Sequence, residues 1–297
     1  MSTMDATIDF DASAAPFNQF KDIKPLAKNR SGRVSFENAR HHLYVASDRK
    51  NHASVLIKVT ARPGLIYQAN LENEIAILQK INASIPESHY FPVMRAHGKL
   101  RDGRVYIIAS FFDELPLASA IGKERIPGKT DAYLQTAIEI AKAFEELHQL
   151  QIYHVDLNPM NVLHRLDAGR PIIRIIDFES SFEWGRHSQG ALFDPPQTPG
   201  YSAPEVSRQA PDARADVFSL GAVLYTMLAG YQWTWEETVW KCVAADKDVE
   251  PELKAILLKA VDPEPDNRYP SMGAFQADLA AHLAKIWRAR RVVRPSV

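Results

Sequence analysis

The stretch YHVDLNPMNVLHRLDAGRPIIRIIDFESS, from Tyr153 to Ser181, sets two aspartates beside apolar runs. Asn161 lies five residues after Asp156, and Asp177 follows the apolar run IIRII. Two short paired strands in this stretch can bring Asn161 and Asp177 to one end of a hairpin. An amide oxygen and a carboxylate are hard ligands suited to Mg²⁺. The remaining carboxylate, Asp156, could then orient a hydroxyl group and accept its proton.

The rest of the chain has the composition of an ordinary soluble globular protein. It has 297 residues, is 46% hydrophobic and carries a net charge of −1, so neither a nucleic acid nor an anionic membrane is indicated as a partner. Cys242 is the single cysteine, which excludes an intrachain disulfide and fits a reducing cytoplasm. We expect no transmembrane segment, because no run of about 18 apolar residues occurs. We expect no signal peptide, because the N-terminal stretch lacks a basic start and an apolar centre.

The order of hydrophobic patterns predicts an α+β protein with a β-rich first half and a helical second half. Short β-branched or aromatic runs predict strands at residues 32–37, 42–47, 54–60, 90–100 and 104–112. Helical spacing predicts one helix at residues 67–82 and a longer one at 131–150. The run 215–230 is apolar on every side and ends at Gly230, which predicts a buried central helix.

The motifs in this order resemble the serine/threonine protein kinase family. HVDLNPMN, from His154 to Asn161, is similar to the kinase catalytic loop, and DFE stands where D-F-G is usual. The other matching motifs are VLIK with Lys58, ENEIAIL with Glu74, TPGYSAPE at 198–205, DVFSLG at 216–221 and the segment that contains Arg268. The resemblance extends over about residues 20–285 and implies a bilobal fold with a cleft near residues 111–113.

The resemblance also implies the cofactors and the residues that would bind them. ATP and Mg²⁺ are the implied cofactors. The catalytic candidates are Asp156, Lys58, Glu74 and Thr198, and the metal candidates are Asn161, Asp177 and Glu179. The nucleotide-binding candidates are Lys58, Val45, Leu56, Ala109, Ser110, Phe111 and Phe112. Asp216 is expected to cap amides of the catalytic loop, and Glu205 is expected to pair with Arg268.

The phosphate-binding loop and the adenine surface depart from the family pattern. The tip between the first two strands is expected near residues 37–42, which contain no glycine, so Arg40, His41 or His42 is a substitute phosphate contact. An alternative alignment places the tip at 26–34 with Gly32, but it requires a long insertion before Lys58. Leu56 replaces the usual alanine, and its bulk costs about 1–3 kcal/mol of nucleotide affinity.

Three further departures lie in and after the catalytic loop. Val155 replaces an arginine that receives an activating phosphate in the family, which argues against Ser188 phosphorylation as the main switch. Asn158 replaces a lysine that stabilises the transferring phosphoryl group. Glu179 replaces glycine and is similar to the acid of choline kinases and aminoglycoside phosphotransferases, where it lies close to the metal. If position 179 needs a positive φ, glutamate there costs about 1 kcal/mol.

Three functions therefore stay open from the sequence. The first is an ATP-dependent serine/threonine protein kinase with a protein substrate and a regulatory protein partner. The second is a pseudokinase that binds nucleotide or acts as a scaffold, and the third is a small-molecule kinase. We expect a flexible arm at 1–17, an N-lobe at 18–112, a C-lobe at 113–287 and a basic tail at 288–297.

Overall fold

The computed structural model describes residues 7–26, 36, 39–187, 198–231 and 238–292. The chain divides into two compact units, residues 1–113 and 114–297. The first is rich in β-strand and the second in helix, which confirms the predicted α+β class. No helix among the described residues is long and apolar enough to cross a membrane.

The N-terminal unit is built on an antiparallel sheet. Its strands among the described residues are β1 (Phe20–Pro25), β2 (His41–Asp48), β3 (Ser54–Thr60), β4 (Met94–Lys99) and β5 (Val105–Ser110), in the order β1-β2-β3-β5-β4. Helix α1 (Leu65–Ser84) follows β3. Its apolar positions at Leu71, Ile75, Leu78 and Ile81 are all buried, because their helical spacing places them on one face.

One face of this sheet is covered by the segment before β1. Side chains alternate between faces along a strand, so Tyr44, Ile57 and Ile108 share the face opposite to Lys58 and are fully buried. Phe17 and Phe20 join this core, and Phe10 packs against it. The prediction of a flexible arm over residues 1–17 is therefore corrected for residues 7–17. The aromatic side chains of this segment complete a sheet core that would otherwise face water.

Asp9 fixes this segment to the sheet by polar contacts. Its carboxylate accepts hydrogen bonds from Tyr44 at 2.7 Å and from Arg104 at 2.6 Å, and it lies 2.6 Å from Nδ1 of His42. Burial by itself raises the pKa of Asp9, but hydrogen bonds with His42, Tyr44 and Arg104 outweigh it and hold the pKa well below its usual range.

The first strand of the sheet differs from the sequence prediction. Strand β1 pairs with β2, so the connection between them spans residues 26–40 and includes Gly32. The predicted tip at 37–42 is wrong for His41 and His42, which pair with Thr60 and Val59 inside the sheet. His42 shares the face of Tyr44 and contacts Asp9, so the structure does not support it as a phosphate contact. Apart from residue 36, which is not in a strand, the predicted strand at 32–37 lies outside the described residues, as does most of the alternative tip.

The C-terminal unit consists mainly of helices. They are α2 (Thr130–Gln149), α3 (Ala213–Ala229), α4 (Val239–Ala245), α5 (Pro251–Ala260) and α6 (Met272–Val292) among the described residues. Helix α3 is buried along almost its whole length and ends at Gly230, whose φ is 80°. A Cβ at Gly230 would approach the backbone of Glu124 within 2.6 Å, which explains why glycine closes this helix.

Short strands in the same unit carry the loops of the opening stretch. They are β6 (Leu115–Pro116), β7 (Ile152–Tyr153), β8 (Val162–Asp167), β9 (Arg170–Ile175) and β10 (Phe182–Glu183). Strands β8 and β9 pair with Val162 opposite Ile175, as the hairpin prediction required. Trp240 on α4 packs against Phe218 with ring centroids 6.3 Å apart.

Candidate active site

Asp156 is the centre of a hydrogen-bonded loop between β7 and β8. Its Oδ1 accepts a hydrogen bond of 2.5 Å from the hydroxyl of Thr198. Its backbone carbonyl accepts hydrogen bonds from the side-chain amides of Asn158 at 3.1 Å and of Asn161 at 2.9 Å. The side-chain oxygen of Asn158 also accepts from the backbone of Met160 at 2.9 Å. These contacts fix both the loop and the direction of the Asp156 carboxylate.

Asp216, at the start of α3, holds the same loop from inside the unit. Its carboxylate accepts hydrogen bonds from the backbone amides of His154 at 3.0 Å and Val155 at 2.8 Å. This is the capping role expected from the sequence. Asp216 is fully buried, and it also lies 2.9 Å from Nε2 of His148. Val155 has a φ of 57°, a conformation that costs a β-branched residue energy and that the Asp216 contacts stabilise.

The surroundings of Asp156 oppose its ionisation. Burial raises the pKa of its carboxyl group, and the negative charge of Asp177 raises it further. The hydrogen bond from Thr198 and the nearby His154 act in the opposite direction without cancelling the rise. A carboxylate with a raised pKa is a better proton acceptor than an unperturbed aspartate.

Asn161 and Asp177 lie at one end of the β8–β9 hairpin. The carbonyl of Asn161 accepts a hydrogen bond of 3.0 Å from the amide of Ile176, the residue before Asp177. The Asn161 side chain donates its NH₂ to the backbone carbonyl of Asp156, so this contact does not use its amide oxygen. The set offers one amide oxygen and one carboxylate, which fits Mg²⁺ by the chemistry of its donors.

Glu179 differs from the sequence expectation in its backbone. Val155 and Asp177, in the loops beside the strands, have positive φ at 57° and 68°, and Glu179 is not among the described residues with positive φ. The expected strain at position 179 is therefore wrong. The strain lies at Asp177 instead, where a non-glycine residue adopts the left-handed region.

Lys58 and Glu74 form an ion pair in the N-terminal unit. Nζ of Lys58 lies 2.8 Å from Oε2 of Glu74. Both residues are more than nine-tenths buried, so the pair is shielded from solvent and well ordered. Strand β3 supplies the lysine and α1 supplies the glutamate.

The proposed adenine surface is a strip across three neighbouring strands. Val45 pairs with Leu56, and Leu56 pairs with Ala109. Because side chains alternate along a strand, Leu56 and Lys58 share one face. The larger Leu56 side chain therefore stands between two smaller ones on the face that also carries the lysine.

The segment after β5 shows which backbone groups the sheet already uses. The amide of Phe111 donates to the carbonyl of Ser54 at 3.1 Å, so this N–H is engaged within the sheet. The hydroxyl of Ser110 accepts from the amide of Val93 at 2.9 Å. Phe111 and Phe112 are half-buried, which leaves their side chains able to contact a ligand.

Comparison with known proteins identifies the family. The sequence model described as the protein kinase domain matches residues 42–296. The chain belongs to the protein kinase family.

Curated relatives include kinases of animals and of a bacterium. The chain is 37% identical to human ribosomal protein S6 kinase alpha-2 over 133 residues, which are 44% of this chain and 18% of the relative. It is 31% identical to ribosomal protein S6 kinase 2 beta of Xenopus laevis over 54% of this chain and 27% of the relative. It is 28% identical to serine/threonine-protein kinase Pkn1 of Myxococcus xanthus over 65% of this chain and 30% of the relative. The matches thus span less than a third of these relatives.

Sequence reasoning missed part of the support around Asp156. His148 was not predicted as a functional residue. It lies in the last turn of α2 and contacts Asp216. His154 was predicted only as part of the catalytic-loop motif. Its Nε2 lies 3.1 Å from the carbonyl of Ile176, and this contact joins the catalytic loop to the end of the strand before Asp177. The position of His148 at the end of the amphipathic helix α2 was the sequence feature that could have indicated its role. Ser188 lies outside the described residues.

Proposed function

We propose that the chain is an ATP-dependent protein kinase that transfers the γ-phosphoryl group of Mg·ATP to a serine or threonine hydroxyl of a protein. The observation that carries this proposal is the 2.5 Å hydrogen bond from Thr198 to Asp156. Thr198 opens the segment TPGYSAPE, which is typical of kinases that act on peptides. The carboxylate that would receive a substrate hydroxyl is thus tied to the segment that would bind a peptide.

Each polar residue of the site has a role in this proposal. Lys58, oriented by Glu74, would position the α- and β-phosphates by its charge. Asn161 and Asp177 would hold Mg²⁺, which when bound neutralises phosphate charge, and Glu179 is a third candidate at that position. Asp156 would orient the acceptor hydroxyl and accept its proton, because burial raises its pKa.

The substitutions in this site predict a slow enzyme. Asn158 uses its side chain to hold the loop backbone, so it supplies no positive charge to the transferring group. Leu56 adds bulk to the proposed adenine strip. We therefore expect a rate at or below the low end of the usual kinase range of about 1–100 s⁻¹.

A nucleotide-binding pseudokinase is the second candidate. Leu56 and Asn158 favour it, because Leu56 adds bulk to the proposed adenine strip and Asn158 lacks the positive charge that stabilises the transferring phosphoryl group in the family. The buried Lys58–Glu74 pair argues against it, since a buried ion pair is costly to maintain where no ligand needs it. The small-molecule kinase remains an outcome of the test below.

The setting of the activity is part of the same proposal. A protein substrate and a regulatory protein partner are the proposed partners, and the net charge of −1 offers no general attraction to nucleic acid. The single cysteine supports a cytoplasmic location. The N-lobe is proposed to end near residue 112 and the basic tail to begin near 288.

Incubation with radiolabelled Mg·ATP distinguishes the three functions. The full chain and its Asp156→Asn variant are each given a generic protein acceptor, choline or an aminoglycoside. Label in phosphoserine or phosphothreonine that depends on Asp156 supports the protein kinase. Label in small alcohols alone overturns it in favour of a small-molecule kinase.

A thermal shift with ATP and Mg²⁺ completes the test. A shift without transfer to any acceptor identifies a nucleotide-binding pseudokinase and overturns catalysis. The Asp156→Asn variant is a suitable control because asparagine keeps an oxygen that accepts the Thr198 hydrogen bond. Loss of its transfer then reports the missing carboxylate rather than a collapsed loop.

A further inference from the structure

A second group of potential ligands lies where α5 begins beside the middle of α6. Glu250 is the N-cap of α5, and its carboxylate accepts from the amides of Glu252 at 3.1 Å and Leu253 at 3.0 Å. Glu252 lies in the first turn of the same helix. His282 comes from α6. One ligand atom from each of Glu250, Glu252 and His282 lies within 4.8 Å of the others.

His282 is the feature that separates this group from ordinary surface acids. The residue is only 4% exposed, and its Nδ1 is buried without a hydrogen-bond partner among the described residues. A buried polar atom without a partner is costly. Nδ1 faces Oε2 of Glu252 at 3.6 Å, and Nε2 faces Oε2 of Glu250 at 3.6 Å. The imidazole therefore lies between two carboxylates, with both nitrogen–oxygen distances beyond the usual hydrogen-bond range.

The separations fit shared ligands better than hydrogen bonds. A nitrogen and an oxygen 3.6 Å apart exceed the usual hydrogen-bond range of about 2.7–3.2 Å. Two ligands of a tetrahedral zinc ion, each about 2.0–2.2 Å from the metal, lie about 3.3–3.6 Å from each other. An ion can use one ring nitrogen, and the second carboxylate is near enough to complete the set after a small side-chain movement.

The two carboxylates supply the negative charge that a cation needs. Lys285 contacts Oε1 of Glu252, which leaves Oε2, the oxygen that faces His282, for the ion. The amides at the start of α5 donate to the carboxylate of Glu250 and fix its position.

We propose that Glu250, Glu252 and His282 bind a divalent transition-metal cation of the zinc class that bridges α5 and α6. One imidazole nitrogen and two carboxylate oxygens are ligands that Zn²⁺ accepts, with water in the remaining position. The nitrogen ligand separates this site from the oxygen-only Mg²⁺ candidates. The site lies within the C-terminal unit and does not depend on phosphoryl transfer.

The test is a titration of the metal-stripped full chain with Zn²⁺ in the absence of nucleotide, followed by thermal unfolding and calorimetry. The site variants are Glu252→Gln, which alters an exposed side chain, and His282→Asn. The control variants are His52→Gln, which alters an exposed histidine on the β2–β3 turn, and Asp177→Asn, which alters the Mg²⁺ candidate. Together they separate the proposed site from exposed histidines and from the candidate active site.

We expect one equivalent of Zn²⁺ to bind and the unfolding midpoint to rise by about 5 °C or more at a hundredfold excess over Kd. Both site variants should lose at least tenfold in affinity and most of this rise, and both controls should keep them. Co²⁺ in the same site should give the visible absorption of low coordination, which Glu252→Gln should lose. An equal rise in all variants would show an adventitious ion only, and no binding by the wild type would equally overturn the proposal.

Discussion

Arg268 anchors the helical unit, and its removal gives the sharpest prediction for stability. All five N–H groups of its guanidinium are used. Nη1 donates to Oε1 of Glu205 at 2.7 Å and Nη2 to Oε2 at 2.9 Å. The remaining donors bind the carbonyls of Asp262 at 2.7 Å, Arg214 at 3.0 Å and Pro263 at 3.2 Å. The arginine side chain has no exposed surface.

The substitution Arg268→Met should therefore cost much more than the loss of a surface ion pair. Removing one partner of a buried pair leaves an uncompensated charge and costs about 3–5 kcal/mol. An exposed pair contributes only about 0–1 kcal/mol. At about 2–4 °C per kcal/mol for a unit of this size, the unfolding midpoint should fall by about 6–20 °C.

Thermal unfolding and urea titration of the full chain measure this effect. Arg268→Lys should be intermediate, because lysine keeps the charge and loses the bidentate fork. Arg288→Met, on the exposed part of α6, is the matched control and should change stability by less than about 0.5 kcal/mol. A loss of less than about 1 kcal/mol for Arg268→Met would refute the reasoning, since the pair would then behave as a solvated one.

Three further predictions concern the candidate active site and the N-terminal segment. Lys58→Met should reduce kcat/KM in a phosphoryl-transfer assay by about a hundredfold or more, because a charge that stabilises the phosphates is lost. An unchanged kcat/KM would show that Lys58 does not position the nucleotide. Burial raises the pKa of Asp156. The pH profile of kcat/KM should therefore have its acid limb above about 3.9, the usual pKa of aspartate, and activity should fall as the pH decreases through this limb. An acid limb at or below about 3.9 would contradict the raised pKa. Asp9→Ala should destabilise the N-terminal unit by about 1–2 kcal/mol at pH 7, a range already reduced for solvent screening of the half-exposed carboxylate. Because the pKa of Asp9 is lowered in the fold, the stability difference between wild type and variant, measured by urea titration, should shrink as pH falls below about 4. A difference that stays constant down to pH 2 would contradict the linkage.

The elements with strong local patterns could be predicted from the sequence. Helices α1 and α3 follow from the spacing of Leu71, Ile75 and Leu78 and from an apolar run closed by Gly230. Strand β1 could not be predicted, because KDIK alternates weakly and has a half-exposed surface. The packing of residues 7–17 also escaped prediction, since it depends on Asp9 meeting Arg104, a contact across 95 positions of the chain.

The candidate site could be predicted in its residue types but not in its backbone. The predicted hairpin between Asn161 and Asp177 is present as β8 and β9, and Asn161 also contacts Asp156. The sequence suggested strain at Glu179 because glycine is usual there. The structure has positive φ at Val155 and Asp177 instead. Such positions are fixed by tertiary contacts, as Val155 is by Asp216, and they have no sequence signature when glycine is absent.

The most direct measurement of the central claim is the steady-state rate of labelled phosphoryl transfer to a protein acceptor, with wild type and Asp156→Asn compared at equal folded fraction. We predict measurable transfer by the wild type to serine or threonine, at or below about 1 s⁻¹. Loss of the base should lower that rate by about a hundredfold or more. Equal transfer by the two proteins, or none by the wild type while Mg·ATP still binds, would contradict the account.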